Sequence, residues 1–301
     1  MSRIKIPTID TITYQGRAIL HFHPVRHYYT VSVPSLEKWR IYQPGVTTIL
    51  SIKDKSGPLC YWTADQCEVF GQIKVAENPR SWMDNNQILA MLREMKGHYR
   101  EVKRKAAEIG SIVHDYLHEE LLKRQSPGDH KAPTRPMVSD VLSTEMVRQA
   151  NASIDAGLEF LEKHKIKPLT MERPVWSPSW GYIGTDDFIG LVDDELCVLD
   201  WKSSKSLYNE VWLQLAGYQE AYSEEHPDMR SQFAARWGVH IGKDGKLDAV
   251  RRGKEKFADD FGTFLSARNL WEYDRVESGS KYIDIIGDLS GVQIPDEGEE
   301  W

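Results

Sequence analysis

The stretch that most constrains this chain runs from Gly181 to Tyr222, GYIGTDDFIGLVDDELCVLDWKSSKSLYNEVWLQLAGYQEAY. It reads as two strands, a tight turn and a helix, with charges where apolar residues are expected. Residues 182–192 and 195–202 are rich in β-branched, aromatic and leucine side chains. Asp193-Asp194 lies between them, and aspartate tolerates turns because its side chain bonds its own backbone. The pattern predicts an antiparallel hairpin. Centring the turn on the two aspartates sets the register. Val192 faces Glu195 and, counting outward, Asp187 faces Asp200. Directly opposed residues have Cβ atoms roughly 4.5–5.5 Å apart. Two carboxylates so placed repel unless a cation lies between them. Lys202, two residues beyond Asp200, projects from the same face, and Asp186 points to the other.

Two acids and a lysine on one face are a chemical constellation. Hard divalent cations take carboxylate oxygens, and Mg²⁺ keeps several waters while using one or two carboxylates. A metal-bound water is a better nucleophile at neutral pH, and the metal polarises a phosphoryl oxygen. The lysine can orient that water or offset phosphate charge. From spacing alone, a salt bridge on a solvated sheet face describes the pattern equally well.

The helix that follows adds a second signal. Val211, Leu215, Tyr218 and Tyr222 recur at helical spacing. Gln214 and Tyr218 are four apart and share a face. GTDDFI, LDWKSS and QLAGY, in this order, resemble the G-x-x-D, D-x-K and Q-x-x-x-Y series of the RecB-type, phage-type exonuclease branch of the PD-(D/E)XK nucleases. The resemblance matches Asp187 to the motif aspartate, Asp200 and Lys202 to the D-x-K pair, and Gln214 and Tyr218 to the branch-specific motif.

Upstream, residues 87–124 read as helical. Their REMKGHYREVKRKAAE segment is basic, and Arg100, Lys103 and Arg104 can line a path for phosphates or form a solvated face. Gly110 lies one turn before His114. A lone histidine on an apolar face is usually a packed one. The resemblance instead implies a G-x-x-x-H helix whose histidine binds metal. A glycine one turn back lets a sheet edge approach closely. Residues 140–164 predict a further helix and 169–176 a strand holding Glu172, a supporting acid or a plain edge charge. Beyond the central stretch, residues 233–241 predict a strand, Lys243-Asp244-Gly245-Lys246 a turn, and Phe257, Phe261, Phe264 and Leu265 a last helix. Lys243 either reaches a phosphate or lies exposed in that turn.

The first 50 residues look β-rich, with a hairpin turning at Gln15-Gly16 and strands at HYYTVSV and GVTTIL. Pro58 suits the first turn of a helix. Tyr61, Trp62 and Trp82 either stack bases or fill a core.

Composition sets the limits. The chain has 301 residues, a net charge of −7 and three cysteines, Cys60, Cys67 and Cys197. Three thiols without zinc spacing suit a reducing compartment. They cannot supply the four ligands of the iron–sulfur cluster found in several RecB-type relatives. No apolar run approaches the ~18 residues of a membrane span. The first residues carry no signal-peptide core, and there is no GxxxxGK[ST] loop. These features point to a cytoplasmic protein, and the resemblance implies a bacterium or a phage-infected host.

The resemblance covers roughly residues 105–245. It implies an α/β fold with an αβββαβ core, a mixed sheet flanked by helices. Residues 1–95 form an N-terminal β/helical addition packed on that core, 96–275 the nuclease core, and 276–301 an acidic tail. It further implies a Mg²⁺- or Mn²⁺-dependent DNA exonuclease in recombination, repair or replication. His114, Asp187, Asp200 and the Trp201 carbonyl are the implied ligands. Lys202 positions the attacking water, and Gln214, Tyr218, Glu172, Lys243, Arg100, Lys103 and Arg104 support the site or contact DNA. DNA is the expected partner, with recombination or replication proteins beside it and no membrane. A structure-specific endonuclease and a non-catalytic DNA-binding recombination accessory protein remain the alternatives.

Overall fold

The aspartate turn closes its hairpin as the register requires. In this computed structural model, which describes residues 8–24, 28–33, 41–53, 56–77 and 84–277, Asp193 and Asp194 have φ of 53° and 65°. Two successive left-handed residues make the mirror-image turn whose twist matches the flanking strands. The paired residues run from Val192–Glu195 to Phe188–Leu199.

In chain order the strands are β1 (Ile9–Thr13), β2 (Ala18–His23), β3 (Tyr28–Ser32) and β4 (Ile41–Gln43). Four helices follow, α1 (Val46–Leu50), α2 (Ser56–Glu77), α3 (Asn85–Gln125) and α4 (Thr144–Lys163). Then come β5 (Ile166–Thr170), β6 (Arg173–Ser177), β7 (Tyr182–Asp186), β8 (Phe188–Val192) and β9 (Glu195–Lys202). The chain continues through α5 (Glu210–Glu225), β10 (Phe233–Ile241), β11 (Leu247–Gly253) and α6 (Phe257–Glu277).

The main sheet has the order β11-β10-β9-β8-β5 among the described residues. β9 and β10 are parallel, joined through α5, and the other neighbours are antiparallel. Parallel neighbours need such a crossover. β9 is buried on both faces from Leu196 to Trp201, and Asp200 is the one charged residue in that run. Its period of two sorts the side chains. Leu196 and Val198 face α1, α5 and α6. Cys197, Leu199 and Trp201 face α3 and α4. The fold is thus a mixed sheet with helices on both faces. Asp200 and Lys202 share the parity of Val198 and so belong to the α5 side.

Three expectations change. GVTTIL is not a strand: Val46–Leu50 is helical, and Val46, Ile49 and Leu50 are buried against α5 and α6. Tertiary packing there overrides the β preference of its branched residues. Residues 169–176 are not one strand. The chain breaks at Met171-Glu172, and Glu172 takes a φ of 50°. Residues 182–192 also divide, at Asp187. At both breaks the chain leaves one sheet for another. β5 and β8 belong to the main sheet, while β6 and β7 pair in a ribbon of their own. The three strands expected between α4 and α5 are therefore five among the described residues.

The N-terminal strands form a sheet in the order β1-β2-β3-β4. Its Ala18, Leu20, Val31 and Val33 pack on Trp176 and Ile183 of the β6–β7 ribbon. The Gln15-Gly16 hairpin stands as predicted, with Tyr14, Gln15 and Gly16 at positive φ. Trp82 and residues 278–301 of the acidic tail lie outside the described residues. No helix among the described residues is long and apolar enough to cross a membrane.

Candidate metal centre

Both strand breaks point an acid at the same place. Asp187 leaves the ladder one step short of Asp200. Its Oδ2 instead accepts a hydrogen bond from the Trp201 N–H at 2.9 Å. Asp187 and Asp200 are neighbours by charge, then, but not a cross-strand pair. In an extended strand the N–H and C=O of one residue face the same neighbour, so the Trp201 carbonyl opens on the Asp187 side.

His114 comes from α3. Its Nδ1 lies 3.5 Å from Asp187 Oδ2 and 4.0 Å from Glu172 Oε1. Gly110 allows this approach: a Cβ there would come within 3.2 Å of Ser203 Oγ, just beyond β9. Ligand atoms of His114, Glu172 and Asp187 lie within 4.8 Å of one another. Glu172 thus stands among the ligand-distance groups, where the sequence suggested a supporting acid or a plain edge charge. Its left-handed backbone is not visible in composition or spacing. Pro174 within the predicted strand was an available sign of an edge or a break.

Asp200 stands outside that 4.8 Å group. It is 1% exposed, and neither carboxylate oxygen accepts an aligned hydrogen bond among the described residues. Lys202 Nζ forms a close ion pair with Oδ2 at 2.6 Å. Buried polar atoms are nearly always partnered. A buried carboxylate paired on one oxygen only, beside two further acids and an imidazole, fits a divalent cation held through oxygen, with one nitrogen.

Lys202 also donates to Gln214 Oε1 at 3.2 Å, and Gln214 Nε2 donates to the Tyr218 hydroxyl at 2.8 Å. This chain links the sheet to α5. Burial draws the Lys202 ammonium downward, but the charges of Asp200 and Asp187 more than offset it, and the net shift is upward. The neighbouring carboxylates thus favour the charged form of Lys202. Asp186, on the opposite face, is fully buried, and burial pushes its carboxyl well above the usual range.

The remaining candidates disperse. Lys243 Nζ donates to the Ala106 carbonyl at 3.3 Å, tying the β10–β11 turn to α3. It is neither extended toward a ligand nor fully exposed. Arg104 is held by Glu101 at 2.8 Å and Glu108 at 3.0 Å. Arg100 and Lys103 are exposed, and Arg100 lies over the Tyr99 ring. Tyr61 is 79% exposed on α2. No protein-family model matches the sequence, and no curated protein matches it.

The acids make stability sensitive to pH. Desolvation, and then the Asp187 charge, push Glu172 up to about 7, but its side chain is 42% exposed and solvent screens its share of the effect. Burial pushes Asp200 up to about 6 although Lys202 pulls the other way. Both folded values lie above the ordinary carboxylate range, so these groups stabilise the fold at low pH. That contribution disappears as pH rises through 6 and 7. In EDTA the melting temperature should therefore fall across this interval. Saturating Mg²⁺ or Mn²⁺, which needs the ionised acids, should remove most of the fall. Calorimetry with and without metal reads this directly, and parallel curves would mean that the cluster holds no cation.

Proposed function

We propose that the protein is a metal-dependent DNA nuclease of the PD-(D/E)XK kind, acting from a strand end. The observation carrying this reading is the convergence of His114, Glu172 and Asp187 beside the buried Asp200–Lys202 pair. The mixed sheet flanked by helices agrees with it. His114, Asp187 and Glu172 would hold Mg²⁺ or Mn²⁺, with Asp200 and the Trp201 carbonyl beside them. When bound, the cation polarises a phosphoryl oxygen and lowers the pKa of water.

The chain's own groups do the rest. Lys202, fixed between Asp200 and Gln214, presents a hydrogen-bonding cation that offsets the phosphate charge or orients the attacking water. The water oxygen bonds to phosphorus, and one bridging P–O bond breaks. The water gives its proton to solvent, and the departing oxygen takes one up. Gln214 and Tyr218 hold Lys202 in place and touch no reacting atom on this reading.

End-labelled single- and double-stranded oligonucleotides followed with Mg²⁺ test the proposal. Stepwise nucleotide release is expected, and excess EDTA should stop it. Degradation that persists in EDTA refutes the metal mechanism. Cutting of closed single-stranded circles would make the enzyme an endonuclease. Salt-sensitive binding without any release would make it an accessory DNA-binding protein.

The basic face of α3 gives a graded expectation. Arg100→Gln and Lys103→Gln should each reduce the salt slope of DNA binding by about one unit. Arg104→Gln should change it less, because Glu101 and Glu108 already balance that guanidinium. Binding isotherms at several salt concentrations measure this, and three unchanged slopes would assign the face to solvent.

A further inference from the structure

A cleft of about 740 Å³ opens directly from Lys202 and Gln214. Its walls include Leu50 at the end of α1 and Leu59 on α2, with Lys53 and Tyr208 also lining it. The volume suits a ligand of small-molecule size, which here means a nucleotide or two of one strand and not a duplex. The walls are mostly apolar, while the end at Lys202 is cationic.

Tyr208 is the unusual group. It lies in the link between β9 and α5 and is 54% exposed. The preceding Leu207 packs on the α5 side of the core. The Tyr208 carbonyl accepts from the Val211 N–H at 3.0 Å, which anchors its backbone at the start of α5. The result is an exposed ring on a fixed stem, lining the same cleft as Lys202. Lys53 is more than half exposed and only loosely paired with Glu210 at 3.8 Å. Glu210 is only 17% exposed and lines the same cleft, so Lys53 must leave this carboxylate to meet the next phosphate.

We propose that this cleft is a nucleobase subsite in which the unpaired base next to the scissile phosphate stacks on Tyr208. The inference rests on the nuclease reading and deepens it, because it makes a single strand the form that enters the site. Every base has a π-face, so the subsite accepts all four.

The test uses single-stranded oligonucleotides carrying 2-aminopurine, or an abasic sugar, at the nucleotide to be released. In EDTA, wild type and Tyr208→Phe should quench 2-aminopurine fluorescence. Tyr208→Ala should bind roughly 5- to 150-fold more weakly, the range of one lost base–aromatic stack. With Mg²⁺, the abasic sugar should slow wild type by a similar factor and leave Tyr208→Ala no slower than it already is. An alanine variant that matches wild type on both substrates overturns the subsite while leaving the nuclease reading intact. A wild type that quenches but releases no nucleotide overturns the nuclease reading and supports the subsite. Equal cleavage of abasic and normal strands by wild type also overturns the subsite, since nothing then stacks.

Discussion

Asp187→Asn is expected to lower single-turnover DNA cleavage at saturating Mg²⁺ by a factor on the order of a thousand, with DNA binding retained or tightened. Asp187 makes two contacts that define the site, the hydrogen bond from Trp201 and the approach to His114. Asparagine keeps the shape and one acceptor oxygen but removes the negative charge. Cation-derived charge stabilisation amounts to several kcal/mol, and each ~1.4 kcal/mol is a tenfold change in rate. Asp186→Asn is the control. Asp186 is buried on the other face, and burial raises its carboxyl well above the usual range. Its neighbour Thr170 contacts it only at 3.3–3.4 Å. A neutral amide there should leave activity within a few-fold of wild type. A folded, inactive Asp186→Asn beside an active Asp187→Asn would exchange the two roles.

The hairpin was legible because the information is local. Two adjacent aspartates between apolar strands leave few other registers, and the observed pairing begins at Val192–Glu195. The same reasoning overran at its far end. Extending the ladder past Phe188 puts Asp187 opposite Asp200, but the chain has by then crossed to the β6–β7 ribbon. Periodicity reports which face a residue takes within one sheet and says nothing about where a strand changes sheets. Glu172 was undervalued for the same reason, since its position depends on a break and a left-handed backbone. GVTTIL failed differently. Its branched residues favour a strand, but the space between α5 and α6 accepts a single helical turn carrying Val46, Ile49 and Leu50. Gln214 and Tyr218 were readable as sharing a face, yet only the structure links them to Lys202.

Gly184→Ala is expected to damage stability and turnover together, although it lies far from any acid in chemical type. A Cβ on Gly184 would sit 2.3 Å from Tyr218 Cε1 and 2.9 Å from Cδ1, with Val46 Cγ2 at 3.1 Å behind it. The tyrosine ring is 3% exposed and cannot retreat into solvent. Overpacking of this kind costs about 1–3 kcal/mol, so a melting-temperature loss of several degrees should follow. The ring must also move, and its hydroxyl ends the chain through Gln214 to Lys202. A displaced Tyr218 therefore releases the lysine, and kcat should fall by at least tenfold with little change in KM. Two variants separate the effects. Tyr218→Phe keeps the packing and loses the hydroxyl, so it should lower kcat while costing only about 1 kcal/mol. Gly184→Ala with Tyr218→Leu vacates the ring position. It should recover part of the stability lost by Gly184→Ala without recovering kcat, a non-additive pair of the kind expected for residues in contact. If Gly184→Ala melts and turns over like wild type, the glycine is not needed for this packing, and the link from Tyr218 to Lys202 has no part in turnover.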